Sequence, residues 1–306
     1  MYNVPLVSVC VITYNSSAYV LETLDSVRRQ TYQNIELVIS DDCSTDNTVD
    51  TCRKWIWENE ERFVGVIMVT SNHNTGIAPN CNRAYKTATG EWIKPIAGDD
   101  ILLDNCIQDN IDYVLSNPEA KVAFSEMQSF KNNAGERIYL NSCASTSKYF
   151  KLSSEEQFKT LLTTNFIPAP TAFIKLECLK LVDYADERFP FLDDYPLWLR
   201  FLHANIGFSY FHKQTVLYRQ EDSITRSRSR FIHPKYLESL EQFHKKIIFP
   251  MLSGKLYIYK IHMRIFFVKA KTRIYLFGNK KNVFSIWLLR LLNIIDPYFY
   301  FVKMRK

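Results

Sequence analysis

Residues 35–48 read IELVISDDCSTDNT. An apolar, β-branched run stops abruptly in an acidic, hydroxyl-rich loop. Thr48 then opens a helical pattern that carries Val49, Cys52 and Ile56 towards Glu60. This reads as a strand over 35–40, a polar loop at its carboxyl end and a crossover helix. The same plan repeats on either side. Upstream, Leu6 to Thr13 is apolar and passes through Tyr14 and Asn15 to a helix over 18–30 with Leu21, Leu24 and Val27 on one face. Downstream, strands at 64–70, 92–96 and 122–124 alternate with helices at 79–87 and 105–115. Such alternation predicts an α/β fold with a mostly parallel central sheet covered on both sides.

The wider composition fits one or two globular domains. The chain has 306 residues, 47% of them hydrophobic and 23% charged, enough to bury roughly three quarters of its unfolded surface without a disulfide or metal staple. Only 8 Gly and 11 Pro exclude collagen-like and linker-rich designs. Seven cysteines without a C-x-x-C pair predict reduced thiols in a cytoplasmic protein, not a secreted scaffold or zinc site. No basic, apolar leader opens the sequence, so no signal peptide is expected. The apolar stretch Phe284 to Val302 is interrupted by Arg290, Asp296 and Pro297, which argues against a spanning helix. The 21 Phe and 18 Tyr exceed the needs of a core, so some rings are expected to face something else.

A net charge of +6 hides a split. Residues 226–306 hold 18 Lys and Arg against 3 acids, whereas residues 1–225 hold 20 bases and 29 acids. Two regions of opposite sign imply two tasks. The expected division is a catalytic domain over 1–225 and a basic, aromatic-rich helical region over 226–306. Within the first region the periodicity lapses from Phe130 to Phe150. Ser153 and Glu156 then form a capping box opening a helix to Leu162, and FLDDYPLWLRFLHAN reads as loop then helix with Pro196 in its first turn.

Ligands bind open α/β sheets at the carboxyl ends of the strands. The residues expected there are Thr13, Tyr14 and Asn15, the run Asp41 to Asp46, and Gly98, Asp99 and Asp100. Two acidic clusters at one edge repel each other unless a cation or hydrogen-bond donor lies between them. Each cluster also suits a helix start, since Asp and Ser favour such positions. For Asp46 the capping role is the stronger. There is no G-x-G-x-x-G and no G-x-x-x-x-G-K-[ST], so dinucleotide and P-loop chemistry are poorly supported. The six His stand at no metal-ligand spacing.

The segments VSVCVITYNSSAYVLETLDSVRRQTYQNIELVISDDCSTDNT, NTGIAPNCNRAYKTATGEWIKPIAGDD and LDDYPLWLR, taken together and in order, resemble the family 2 glycosyltransferases of bacterial polysaccharide synthesis, which have the GT-A fold. The resemblance spans roughly Pro5 to Arg226. It implies a nucleotide-sugar donor, a UDP-sugar first of all, and a glycan or polyprenyl-linked acceptor hydroxyl, with inversion. It makes Asp42 the reader of the base, where a carboxylate can accept the uracil N3–H, with Tyr14 and Thr13 flanking the ring. It places Asn82 near the nucleotide and leaves Arg83 as a surface cation. It assigns Asp100, with Asp99, to a divalent cation (Mn²⁺ or Mg²⁺) on the donor diphosphate, Asp99 alternatively to the ribose. Ala97 stands where the family often has a further Asp. Asp194 becomes the base that takes the acceptor proton, and Asp193, in place of the usual Glu, lies on the acceptor side. The helix that follows is expected to favour the ionised form of Asp194.

The basic region interleaves Lys and Arg with aromatic and aliphatic residues, a mixture suited to the interface of an anionic membrane. The resulting expectation is a hexosyl- or N-acetylhexosaminyl-transferase, peripheral on the inner face of the cell membrane and without a nucleic-acid partner. Two rival functions are a sugar nucleotidyltransferase and a basic nucleic-acid-binding protein with an inert α/β domain. The first lacks the Gly-rich loop used around a triphosphate. The second predicts affinity that falls steeply with salt regardless of metal.

Overall fold

Strand β1 (Val7–Thr13) is buried at six of its seven positions, and all of β2 (Ile35–Asp41) is buried. Alternation along both strands sends Val7, Val9, Val11, Ile35, Leu37 and Ile39 to one face. There they meet Leu24 and Val27 of the helix Val20–Arg28, Trp55 of the helix Thr48–Asn59, and Ile107 and Ile111 of the helix Cys106–Ser116. The helix Ile77–Thr87 also packs on β1 and β2. The computed structural model describes residues 4–133, 136–140, 146–220 and 232–279.

Among the described residues nine strands share one sheet. In spatial order these are β3 (Gly65–Thr70), β2, β1, β4 (Trp92–Ala97), β8 (Phe173–Lys175), β6 (Val122–Asn133), β9 (Ser209–Arg219) and β5 (Ile101–Leu102). The short β7 (Glu136–Tyr139) pairs with β6. Pairing is parallel across β3, β2, β1 and β4 and again between β6 and β9. It is antiparallel where β8 joins β4 to β6 and where β5 meets β9. The chain steps outward from β1 to β3, then returns past β1 to lay down β4. That reversal makes the carboxyl ends of β1 and β4 the switch point where an open α/β sheet leaves a crevice.

The strand expected at 122–124 runs on to Asn133 and turns back as β7. Past Ser125 only Phe130 is fully buried, and Asn132 and Asn133 are exposed, so no regular alternation marks its second half. Many of the surplus rings are packed against one another. Phe124 lies 5.2 Å from Trp198, 5.4 Å from Phe208 and 5.5 Å from Phe150, centroid to centroid. Ser153 and Glu156 form the capping box at the helix Ser154–Leu161: Ser153 N donates to Glu156 Oε2 at 3.0 Å, and Glu156 N donates to Ser153 Oγ at 3.3 Å.

The chain divides into two compact units, Met1–Leu161 with Asn165–Arg219, and Leu162–Thr164 with Gln220–Lys306. In the second, the helix Pro234–Phe243 continues through a π-helical turn, His244–Ile248, and a long helix follows at Tyr257–Phe277. No helix of the described residues is long and apolar enough to cross a membrane. The stretch Phe284 to Val302 lies outside the described residues.

Candidate active site

Register pairs Thr13 with Asp41 and Ile12 with Ala97, so the loops after β1, β2 and β4 leave the sheet side by side. The approach is close. Gly98 N donates to Ile12 O at 2.9 Å, and a Cβ on Gly98 would stand 2.8 Å from Thr13 Cγ2. Asn15 and Cys43, the turning residues of the first two loops, adopt left-handed φ values of 51° and 65°. For Cys43 this conformation is costly, and strain of that kind collects at functional sites.

Asp41 is wholly buried and accepts from Thr13 Oγ1 at 2.9 Å and from the amide and hydroxyl of Ser44. The Thr13 hydroxyl is therefore spent inside the loop, while Tyr14 keeps 40% of its surface exposed. Asp46 accepts from the amides of Ser17 and Thr48, tying the two loops together at the start of the second helix.

Asp42 is the most heavily bonded carboxylate of the site. It accepts from Thr75 Oγ1 at 2.6 Å, Thr75 N at 2.9 Å, Gly76 N at 2.8 Å and Arg83 Nη2 at 2.6 Å. Burial pushes its pKa up, but the hydrogen bonds from Thr75, Arg83 and Gly76 outweigh burial and hold it below the usual carboxylate value. Arg83 is thus no surface cation. It is the ion-pair partner of Asp42, bound also to Thr75 Oγ1 and Asn80 Oδ1. Asn80, one turn before Arg83, donates to Thr13 O at 3.0 Å and accepts from Ser40 Oγ at 2.6 Å.

Asn82 points elsewhere. Two residues on from Asn80, it is turned off that face of the helix, and its amide bonds both backbone groups of Ala185 and the Glu187 carboxylate. The structure does not bring it to the Asp42 cluster; Asn80 and Arg83 stand there in its place. Their i, i+3 spacing in NTGIAPNCNR is the signal that points to them.

After β4, Asp100 is buried and accepts from Arg219 N at 2.8 Å, and the Asp99 carbonyl accepts from Arg219 Nε at 2.7 Å. Arg219 also pairs with Glu22, which Arg137 bonds in turn, and its guanidinium lies 4.5 Å from the Tyr19 ring centroid. Burial first, and the neighbouring Asp99 charge second, raise the Asp100 pKa well above the usual range. Behind this pair, Lys94 is entirely buried and donates to Pro170 O at 2.6 Å and Pro95 O at 3.0 Å.

Asp193 and Asp194 head the helix Asp194–His203. Both are half-buried. Asp194 accepts from Tyr195 N at 2.6 Å. The helix start does not keep Asp194 acidic, contrary to expectation: burial, then the charge of Asp193, push its pKa up to about 7. Burial also raises Asp193. Cys81 Sγ lies 3.8 Å from Asp193 Oδ2, and Ala78 N donates to Pro190 O at 3.0 Å, so the helix Ile77–Thr87 links this pair to Asp42.

The family description "Glycosyl transferase family 2" matches residues 8–180, more than half the chain. The chain belongs to glycosyl transferase family 2. This family 2 glycosyltransferase is 26% identical over 227 residues to an uncharacterized glycosyltransferase of Haemophilus influenzae, covering 72% of this chain and 78% of that one. It is 29% identical over 203 residues to the E. coli UDP-Glc:alpha-D-GlcNAc-diphosphoundecaprenol beta-1,3-glucosyltransferase WfaP, covering 66% and 72% of the two chains. Its fold matches S. aureus TarS 1–349 in complex with UDP-GlcNAc at a TM-score of 0.60 and 18% identity, over 88% of this chain and 73% of that one. That match makes the fold of the family 2 enzyme GT-A. Against the fuller S. aureus TarS chain, the family 2 enzyme spans 44% of its length.

Gly76 carries a prediction for this arrangement. Its φ is 102°, and an added Cβ would stand 2.6 Å from Pro190 O and 2.9 Å from Pro190 Cβ. Gly76→Ala is expected to cost about 1–3 kcal/mol of stability. Gly65→Ala, with nothing within 4 Å of the new atom, should cost far less. Thermal melts of the two variants check this, and equal melting temperatures would contradict the packing described.

Proposed function

We propose that the enzyme transfers a hexosyl or N-acetylhexosaminyl unit from a UDP-sugar to a hydroxyl of a glycan or polyprenyl-linked acceptor, with inversion, in surface polysaccharide synthesis. The observation that carries this reading is the placement of Asp42 and of Asp99 with Asp100 at the carboxyl ends of β2 and β4, the two parallel strands that flank β1, and of Asp193 with Asp194 against the helix that closes on Asp42. The printed names of two similar proteins support it, since WfaP uses UDP-Glc on a diphosphoundecaprenol acceptor and TarS has been crystallised with UDP-GlcNAc.

Asp42 reads the base. Four donors already occupy the roughly four lone-pair directions of its carboxylate. It takes a uracil N3–H by releasing one of them. Arg83, on the longest and most flexible side chain of the set, is the donor that gives way. The exposed Tyr14 ring flanks the base.

No group of three or more His, Cys, Asp and Glu suited to a metal occurs among the described residues. Mg²⁺ is commonly held by one or two carboxylates, with substrate phosphates completing its sphere, and Asp99 with Asp100 fit that donor set. Asp100 and Asp99 would hold Mn²⁺ or Mg²⁺, which when bound neutralises the charge growing on the leaving diphosphate. Arg219 fixes the turn bearing both residues. Asp194 takes the acceptor proton, and burial, then the charge of Asp193, bring its pKa up to about 7, near that of an effective base at neutral pH.

The test is hydrolysis of a panel of nucleotide sugars with and without Mn²⁺. UDP-sugars are expected to turn over in a Mn²⁺-dependent way, with the nucleoside diphosphate as product. Formation of a nucleotide sugar from a sugar phosphate and a triphosphate, or preference for a non-uridine donor, overturns the corresponding part of the reading.

A further inference from the structure

The second unit contains a cavity of about 310 Å³ lined by Lys245, Phe249, Pro250, Lys260 and Arg264. Two local features build it. The helix that starts at Pro234 widens into the π-helical turn His244–Ile248, carrying Lys245 to one wall, and π turns concentrate at functional positions. Lys260 and Arg264, one turn apart on the helix Tyr257–Phe277, form the other wall. Both lean over an aromatic floor: Lys260 Nζ is 5.7 Å and the Arg264 guanidinium 5.8 Å from the Phe249 ring centroid.

The charges of this cavity are unequal in their partners. Lys245 shares Glu241 with Lys271, at 2.8 Å and 2.7 Å. Lys260 and Arg264 pair with no carboxylate among the described residues, and no acid lines the cavity. Three cations around one concave space, two of them without a counter-charge among the described residues, make a receptor for a compact anion with several oxygens. A guanidinium and two ammonium groups suit a phosphate.

The rim indicates where that phosphate comes from. Met251, Leu256 and Tyr257, on the segment joining the two walls, keep 43%, 37% and 47% of their surface exposed. Apolar and aromatic tips beside a cationic cavity match the boundary of a bilayer, with rings at headgroup depth and cations on the phosphates. We propose that this cavity binds the phosphate of an anionic lipid headgroup, seating the 249–257 segment on the membrane surface. The inference specifies the membrane association expected of the basic region, and donor binding is independent of it.

Flotation of the full chain with vesicles tests it, using phosphatidylcholine alone and phosphatidylcholine mixed with phosphatidylglycerol. The parent protein is expected to float with the mixed vesicles only. Lys260→Ala/Arg264→Ala should reduce that binding roughly fivefold for each cation removed, about 25-fold in all. Leu256→Ser, which leaves every cation in place, should weaken it as well. Calorimetric UDP affinity should match the parent in both variants, and a loss of UDP binding in the parent would instead count against the donor reading. Equal flotation of parent and double variant overturns the proposal. So does a parent that binds inorganic phosphate through these cations but ignores mixed vesicles, or one whose variants lose duplex DNA and keep the vesicles.

Discussion

Asp194→Asn is expected to lower kcat by roughly 10²–10⁴-fold while donor affinity stays nearly unchanged, because the proton leaves the acceptor only in the transition state. The substitution preserves shape and removes the carboxylate proposed to take that proton. Its pH behaviour supplies two further readouts of opposite sign. A base must be ionised, so kcat/KM of the parent should rise with pH through about 7, where burial and Asp193 set the Asp194 pKa. Stability runs the other way. The folded value lies above the roughly 3.9 of an unfolded Asp, so folding favours the protonated form. Stability from this group is fully present below about 4 and is lost as pH rises through about 7. Asp194→Asn should therefore melt higher than the parent at pH 8 and alike at pH 4. Asp193→Asn should cost far less activity and move the acidic limb to lower pH by removing the neighbouring charge. Equal losses in the two variants would reduce the effect to general electrostatics and remove Asp194 from its role.

Asp100→Ala is expected to abolish transfer and to weaken UDP binding only when Mn²⁺ is present. Calorimetry with and without the metal separates this from simple damage to the fold. Asp100 accepts the Arg219 amide, so its loss also loosens the end of β9. Arg219→Lys is the useful companion. It keeps a cation while giving up the fork that reaches both the Asp99 carbonyl and Glu22. It should raise the Mn²⁺ requirement and leave metal-free UDP affinity unaltered. UDP affinity that is metal-independent and equal in parent and Asp100→Ala would sink the metal assignment.

The half of the sheet that was legible in the sequence is the half buried on both faces. Val7–Thr13 and Ile35–Asp41 are mostly apolar because parallel crossovers cover them, the buried Ser8 and Glu36 bonding each other across the pair, and each ends where its polar loop begins. The far half left weaker traces. β5 has two residues and β8 three, too few for any period. β9 carries His212, Lys213 and Gln214 exposed at its centre, and its parallel pairing with β6 passes through two irregularities in register. The site divides in the same way. Asp42, Asp99, Asp100 and Asp194 stand at ends of elements and could be placed from the chain alone. Arg83, Asn80, Gly76 and Arg219 matter because of what a distant segment brings against them, and Asn82 is turned aside by Ala185 and Glu187 for the same reason.

The helix Ile77–Thr87 presents Asn80 and Arg83 to β1 and Asp42, Cys81 to Asp193, and Asn82 to Ala185. With 3.6 residues per turn, one extra residue inside it turns everything downstream by about 100°. An insertion between Ala78 and Asn80 would swing Arg83 off Asp42 and part Cys81 from Asp193 in a single event. Length variation in this enzyme is accordingly least tolerable from Thr75, which with Gly76 grips Asp42, through the first two turns of the helix, and a library of single-residue insertions across 71–92 should show a sharp trough of surviving activity over residues 75–83.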